Sequence, residues 1–141
     1  MIPDEEINLI IAEWMGWKRY TYGEKTILAK LPEEVEKFWL DEGASITLDK
    51  PVTECLKVYG EMPDCVNDSN AIRKAEQALR EGDDCASKLE DYQLILWMIC
   101  NPGIEFCADN VFDVEYMQNF ISATHRQRAE ALAKAIQQWK E

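Results

Sequence analysis

Apolar residues recur at helical spacing near both ends of this chain. Ile7, Ile10, Ile11 and Trp14 fall at i, i+3, i+4 and i+7, the stripe of an amphipathic helix. This predicts a helix over Asp4–Trp17, with Asp4, Glu5 and Glu6 at the positive end of its dipole and Gly16 as its stop. At the other end Ala129, Leu132, Ala133, Ile136 and Trp139 repeat the spacing and predict a helix over Ser122–Trp139. Its outer face carries Arg126, Arg128, Lys134 and Lys140 against a single Glu130, which makes it the one locally basic element. In the middle Ala71, Ile72, Ala75, Ala78 and Leu79 predict a helix from Asn70 that closes at Glu81-Gly82-Asp83-Asp84.

Between these helices the pattern shortens. Trp17–Tyr22 and Lys25–Lys30 are rich in aromatic and β-branched residues around Gly23-Glu24, which predicts a hairpin. Pro32–Asp41 predicts a short helix with Val35, Phe38 and Trp39 on its apolar face. Ala44–Lys50 reads as a further short strand, and Val52–Tyr59 as a segment of undecided type. Ser87–Cys100 predicts a helix capped by Ser87 with Glu90 in capping-box spacing. Its apolar run Leu94–Cys100, LILWMIC, also fits a buried strand, because so short a run has no decisive period. Asn101-Pro102-Gly103 breaks the chain, and Ile104–Met117 has no clear period. No repeat or linker interrupts residues 1–141, so they read as a single domain.

A chain of 141 residues buries roughly 68–70% of its unfolded surface, enough for its own core. The net charge is −12 and the isoelectric point about 4.5. That field repels nucleic acid and anionic membranes, so direct nucleic-acid binding and membrane association are not expected, and a basic protein partner is. The most acidic stretch is Glu81–Glu115, with nine acids against one lysine. Asp83, Asp84, Glu90, Asp91, Glu105, Asp109, Asp113 and Glu115 are therefore the candidate partner-binding residues. The usual alternative for such a stretch is a solvated surface.

Cys55, Cys65, Cys85, Cys100 and Cys107 are odd in number and lack CxxC spacing. They read as reduced thiols in a cytoplasm, packed as small apolar residues. The acidic start MIPDEE is unlike a signal peptide, and LILWMIC is far short of the roughly 20 residues that span a bilayer.

Oxygen ligands for a cation cluster at Asp64, Asn67, Asp68 and Asn70, but the spacing lacks the glycine and distal glutamate of a calcium loop. A Met62-Pro63-Asp64 turn followed by a helix N-cap at Asn67, Asp68 or Ser69 accounts for the same residues. His125 is the single histidine and reads as an exposed first-turn residue. No phosphate-binding, dinucleotide or hydrolase motif is present. No catalytic residue, metal or cofactor is therefore assigned, and the chain is not expected to be an enzyme. Trp17, Tyr20 and Tyr22, next to Lys18 and Arg19, offer a stacking and cationic surface; Trp17, Arg19 and Tyr20 with Arg73, Arg126 and Arg128 are the candidate ligand-binding residues.

Three stretches taken together resemble one family. Ile7–Trp17, INLIIAEWMGW, resembles an IxxLIAxxMGW pattern. Pro63–Glu76, PDCVNDSNAIRKAE, resembles PDYxNDLNAMxxAE. Ala123–Trp139, ATHRQRAEALAKAIQQW, resembles ATARQRAEALL followed by a tryptophan. In this order they look like the small phage and prophage proteins of the phage ABA sandwich domain. The resemblance implies an α/β (α+β) fold of helices packed on a small antiparallel sheet, encoded by a phage and acting in the host cytoplasm. It carries no reaction and no agreed catalytic residues. The chain departs from it at Cys65, where an aromatic is usual, at Ser69, where leucine is, and at His125, where a small residue is. Leu31–Met62 and Ile104–Ile121 differ most, and a specific role is expected there.

The resemblance, the acidity and the missing catalytic motifs lead to one expectation. The protein acts by binding, as a counter-defence inhibitor of a host immune protein with a basic surface, such as a CRISPR effector. The alternative is a sponge for a nucleotide immune signal. Self-association is left open.

Overall fold

A computed structural model of the chain describes residues 2–23, 25–46, 57–59, 62–82 and 84–139. In chain order these form α1 (Asp4–Trp14), β1 (Lys18–Tyr22), β2 (Lys25–Ala29), α2 (Glu33–Asp41), β3 (Ser45–Ile46), β4 (Lys57–Tyr59), α3 (Ser69–Glu81), α4 (Cys85–Cys100), α5 (Ala108–Val111), α6 (Val114–Ile121) and α7 (His125–Trp139). The fold is mixed α and β. It groups into two compact units, Ala12–Met62 and the pair of segments Met1–Ile11 and Pro63–Glu141.

In the unit Ala12–Met62, the end of α1 is closed by hydrogen bonds from the Gly16 and Trp17 amides to the carbonyls of Glu13 and Ala12. Gly16 has φ +107°, a conformation that side chains with a Cβ rarely take. The chain then enters the expected hairpin, with Tyr20 opposite Ile27 and Tyr22 opposite Lys25. β3 adds antiparallel to β1, and β4 adds parallel to β2, giving the order β3-β1-β2-β4. The long path between Ala29 and Lys57 permits the parallel fourth strand, since parallel neighbours need a crossover of a dozen or more residues. The expected strand Ala44–Lys50 is present at Ser45–Ile46, and the segment Val52–Tyr59 at Lys57–Tyr59; the rest of both lies outside the described residues.

Alternation along β1 sends Lys18, Tyr20 and Tyr22 to one face. α2 covers that face: Lys18 Nζ lies 3.1 Å from Glu36, and the Tyr20 ring meets Trp39 edge-on at 5.5 Å. Glu36 and Trp39 thus set the inward side of α2. At about 100° per residue, this turns Phe38 outward and leaves Val35 half-covered. The expected apolar face Val35, Phe38 and Trp39 is therefore corrected, because Val35 and Phe38 are exposed.

In the other unit, Ile7, Leu9 and Ile11 of α1 are buried, while Ile10 is only half-buried. α4 packs against α3, α6 and α7. α3 starts where the sequence reading puts it: the Asp68 carboxylate accepts from the Asn70 amide at 3.0 Å, and Ala71, Ile72, Ala75 and Leu79 are buried. α4 is a helix throughout, which excludes the strand reading of LILWMIC. It begins at Cys85, two residues before the expected cap Ser87, because Asp84 takes a left-handed turn with φ 54° and the helix winds directly from it.

α7 begins at His125 rather than Ser122. Thr124 Oγ1 accepts from the Gln127 amide at 3.1 Å, and Gln127 Oε1 accepts from the Thr124 amide at 2.9 Å, a reciprocal capping box. Its expected basic outer face is also corrected. Glu130 is buried, with Arg126 and Lys134 at 3.5 and 3.9 Å. Arg126 Nε donates to Asp4 at 2.8 Å and its Nη2 to the Ile2 carbonyl at 3.0 Å. Arg128 lies 3.6 Å from Glu76, and Lys140 is outside the described residues. Ala129, Ala131, Ala133 and Ala135 let other helices close on α7, and Arg126, Arg128 and Lys134, each still partly exposed, lie beside carboxylates.

Two polar sites inside this unit give tests. Glu76 accepts from the buried Tyr92 hydroxyl at 2.9 Å and pairs with Arg128. Glu76→Ala removes both partnerships, and in urea unfolding it is expected to cost about 2–3 kcal/mol; a cost below about 0.5 kcal/mol would contradict this role. Burial, reinforced by the charges of Asp64 and Asp68, pushes the Cys65 thiol from 9.0 to about 12. Burial, then the Glu76 charge, pushes the Tyr92 phenol above its ordinary 10.0. Both groups are neutral acids held neutral, so their contribution is complete below the unfolded values and lost as pH rises through the folded ones. Unfolding free energy is expected to hold to about pH 9 and then fall, with a smaller fall in Cys65→Ala.

Candidate binding groove

α4 carries more apolar surface than α3 and α7 cover. Tyr92, Leu96, Trp97 and Cys100 are buried, yet Leu94 and Met98, one turn apart on the outer side, are exposed. Pro102 cannot continue the helix. Gly103, at φ +80°, turns the chain so that residues 104–121 return along α4.

One buried amide fixes that return. Asn101 is 3% exposed. Its Nδ2 donates to the Trp97 carbonyl at 3.1 Å and to the Tyr116 carbonyl at 3.2 Å. Its Oδ1 accepts from Asn119 Nδ2 at 2.9 Å. α6 is thereby tied to the end of α4. The Trp97 ring is met edge-on by Phe106 at 5.1 Å and by Tyr116 at 6.2 Å, a geometry aromatic pairs favour. α5 is held by the Asn110 side chain on the Glu105 carbonyl at 2.7 Å. α6 is capped by Asp113, which accepts from the Glu115 amide at 3.0 Å.

These elements enclose an open groove of about 610 Å³. Leu94 and Trp97 form one wall, Met117, Phe120 and Ile121 the other, and Phe106 and Val111 also line it, with Glu90 and Asp91 at its edge. The apolar surface continues past it. Val114 lies on the same α6 stripe as Met117 and Ile121, at i, i+3 and i+7, and is 81% exposed; Phe112 just before the helix is 77% exposed. Trp97 Nε1 is buried without a hydrogen-bond acceptor among the described residues.

The stretch that builds the groove is also acidic. No lysine or arginine stands between Lys88 and Arg126, whereas Glu90, Asp91, Glu105, Asp109, Asp113 and Glu115 do. This stretch thus holds half of the net charge of −12. All six are exposed except Asp91, which is half-buried and accepts from Trp139 Nε1 at 3.1 Å.

Seven of the eight acids named from sequence are described: Asp84 just before α4, Glu90 and Asp91 on the groove lining, and Glu105, Asp109, Asp113 and Glu115 elsewhere in the same stretch. Asp83 lies outside the described residues. The six candidate ligand-binding residues divide between the two units. Trp17, Arg19 and Tyr20 belong to the unit Ala12–Met62, where Arg19 is buried beside Glu13 and Tyr20 is buried under Trp39. Tyr20 instead lines a smaller hollow of about 220 Å³ with Tyr22, Lys25, Ile27, Trp39, Glu42 and Ala44. Arg126 and Arg128 are engaged by carboxylates, and Arg73 is exposed on α3. At the Asp64 turn the carboxylate accepts from Asn8 at 2.9 Å and Asn67 at 3.1 Å. The Asn67 bond first, then that from Asn8, holds it below the usual carboxylate range.

Sequence reasoning named the acids and missed the apolar walls: Leu94, Trp97, Phe106, Met117, Phe120 and Ile121. The signal for them was apolar residues on more than one side of α4, followed by phenylalanines in a cation-free stretch. No family model, curated protein or solved structure matches this chain.

The groove residues separate by role under mutation. Phe112→Ser and Ile121→Ser are expected to change stability by less than about 0.5 kcal/mol. Asn101→Ala is expected to cost about 2–3 kcal/mol, because it strands buried polar partners. Urea unfolding of the three variants checks this; a large cost at Phe112 or Ile121 would make them core rather than surface.

Proposed function

We propose that this chain is a phage accessory protein, of the family its three motifs resemble, that acts by binding and not by catalysis. In this reading it works in the host cytoplasm, where it engages a defence protein with a basic surface and blocks it. The observation that carries the reading is the groove in the stretch 90–121: an exposed apolar surface with Glu90 and Asp91 among its lining residues, built by a stretch of chain that holds six acids and no lysine or arginine. Exposed apolar surface of this kind marks interaction sites, and a field of one sign selects partners of the other. Half of the residues that line the groove fall in Ile104–Ile121, one of the two segments that depart most from the family pattern.

The nucleotide sponge is the weaker reading, since Arg19, Arg126 and Arg128 already face carboxylates of their own unit. Expression of the chain in cells carrying a CRISPR system that targets a test phage is expected to raise plaque counts at least about tenfold, a difference that 1.4 kcal/mol of effective binding can produce. Unchanged plaquing across a panel of CRISPR and other nuclease-based defence systems would contradict the proposal.

A further inference from the structure

We infer that the groove between α4 and α6 docks an amphipathic helix of the partner, with an apolar stripe flanked by lysine and arginine. This rests on the reading that the chain acts by binding a protein, and it names the segment that is bound.

The shape of the walls favours a helix. Both walls are helices, with Leu94 and Trp97 on one and Met117, Phe120 and Ile121 on the other. They offer ridges of side chains and no sheet edge, so an extended peptide finds no main-chain ladder to join. A helix lays residues at i, i+3, i+4 and i+7 between such ridges. The eight residues of α6 span about 12 Å at 1.5 Å per residue, which matches two to three turns of an occupant. Val114 and Met98 extend the apolar surface along both walls, farther than a compact small molecule follows.

The charge of the stretch that builds the groove, with Glu90 and Asp91 on its lining, selects among helices. Glu90, Asp91, Glu105, Asp109, Asp113 and Glu115 are unopposed by any lysine or arginine on the stretch that builds the groove. An acidic helix, a nucleic acid or an anionic lipid surface meets repulsion there. A second copy of this chain does too, because a twofold contact through α6 sets the same acids against each other. A segment bearing lysine and arginine beside leucine or phenylalanine meets both complements at once.

The test uses the purified full chain and a labelled helical peptide of roughly 14 residues, long enough for three turns. The peptide carries Leu and Phe at i, i+3, i+4 and i+7 and Lys and Arg elsewhere. A scrambled peptide of the same composition controls for charge alone. Fluorescence anisotropy is expected to show saturable binding at least about tenfold tighter for the helical than for the scrambled peptide, weakening as salt rises. Ile121→Asp and Glu90→Lys are each expected to weaken it tenfold or more. Phe38→Asp, an exposed aromatic in the other unit, is expected to leave it unchanged, and circular dichroism checks that every variant is folded. Equal binding of both peptides, or binding indifferent to Ile121→Asp, overturns the inference. So does a dimer of the free chain that Ile121→Asp dissolves, since the groove then belongs to a second copy. In the plaque assay, protection that survives Ile121→Asp overturns the groove while sparing the binding function; absence of protection by the unmutated chain overturns the function itself.

Discussion

The Asn101 side chain sits where α4 ends, in an apolar surrounding, and three hydrogen bonds make that position tenable. Two of them hold the carbonyls of Trp97 and Tyr116, and the third holds Asn119. A buried amide left without partners costs roughly 1–3 kcal/mol, so the arrangement is satisfied as a set. α6 is short, and an eight-residue helix has little stability of its own in water. Its place over α4 follows from this tie and from the edge-on packing of Phe106 and Tyr116 on Trp97.

That placement covers only part of the apolar excess of α4. A chain folding for stability alone gains about 25 cal/mol for each Å² of apolar surface it removes from water. Here Leu94, Met98, Phe112, Val114 and Ile121 stay in contact with water beside exposed carboxylates. In the binding proposed above, the carboxylates oppose pairing with another copy of the chain and favour a cationic partner. Elsewhere in the unit, cations are spent on internal order: Arg126 joins the first residues of α1 to α7, and Arg128 joins α7 to α3.

What was legible in the sequence is what local chemistry dictates. Gly16 and Gly23 mark the end of α1 and the hairpin turn because of their backbone freedom. Asp68 marks the start of α3 because its carboxylate reaches the Asn70 amide. Other boundaries depended on competing local options. Ser87 and Asp84 were both placed to begin α4, and the Thr124–Gln127 box overrode Ser122 at α7. α5 and α6 have too few residues for a period to emerge. Partners far apart in sequence were out of reach: Arg126 reads as a free cation until Asp4 is folded against it. The acids of the groove were visible as composition, but its walls exist only once Asn101 has brought residues 106–121 back onto α4.

The return of residues 104–121 onto α4 is built into the free protein, so the groove is formed without a ligand. Hydrogen exchange of the α6 amides tests it most directly. The amides of Gln118, Asn119, Phe120 and Ile121, in the free chain at neutral pH, are expected to exchange at least about a hundredfold more slowly than an unstructured peptide, and Asn101→Ala is expected to remove this protection while the α3 and α7 amides keep theirs. Exchange of those four amides at the unstructured rate in the unmutated chain would contradict it.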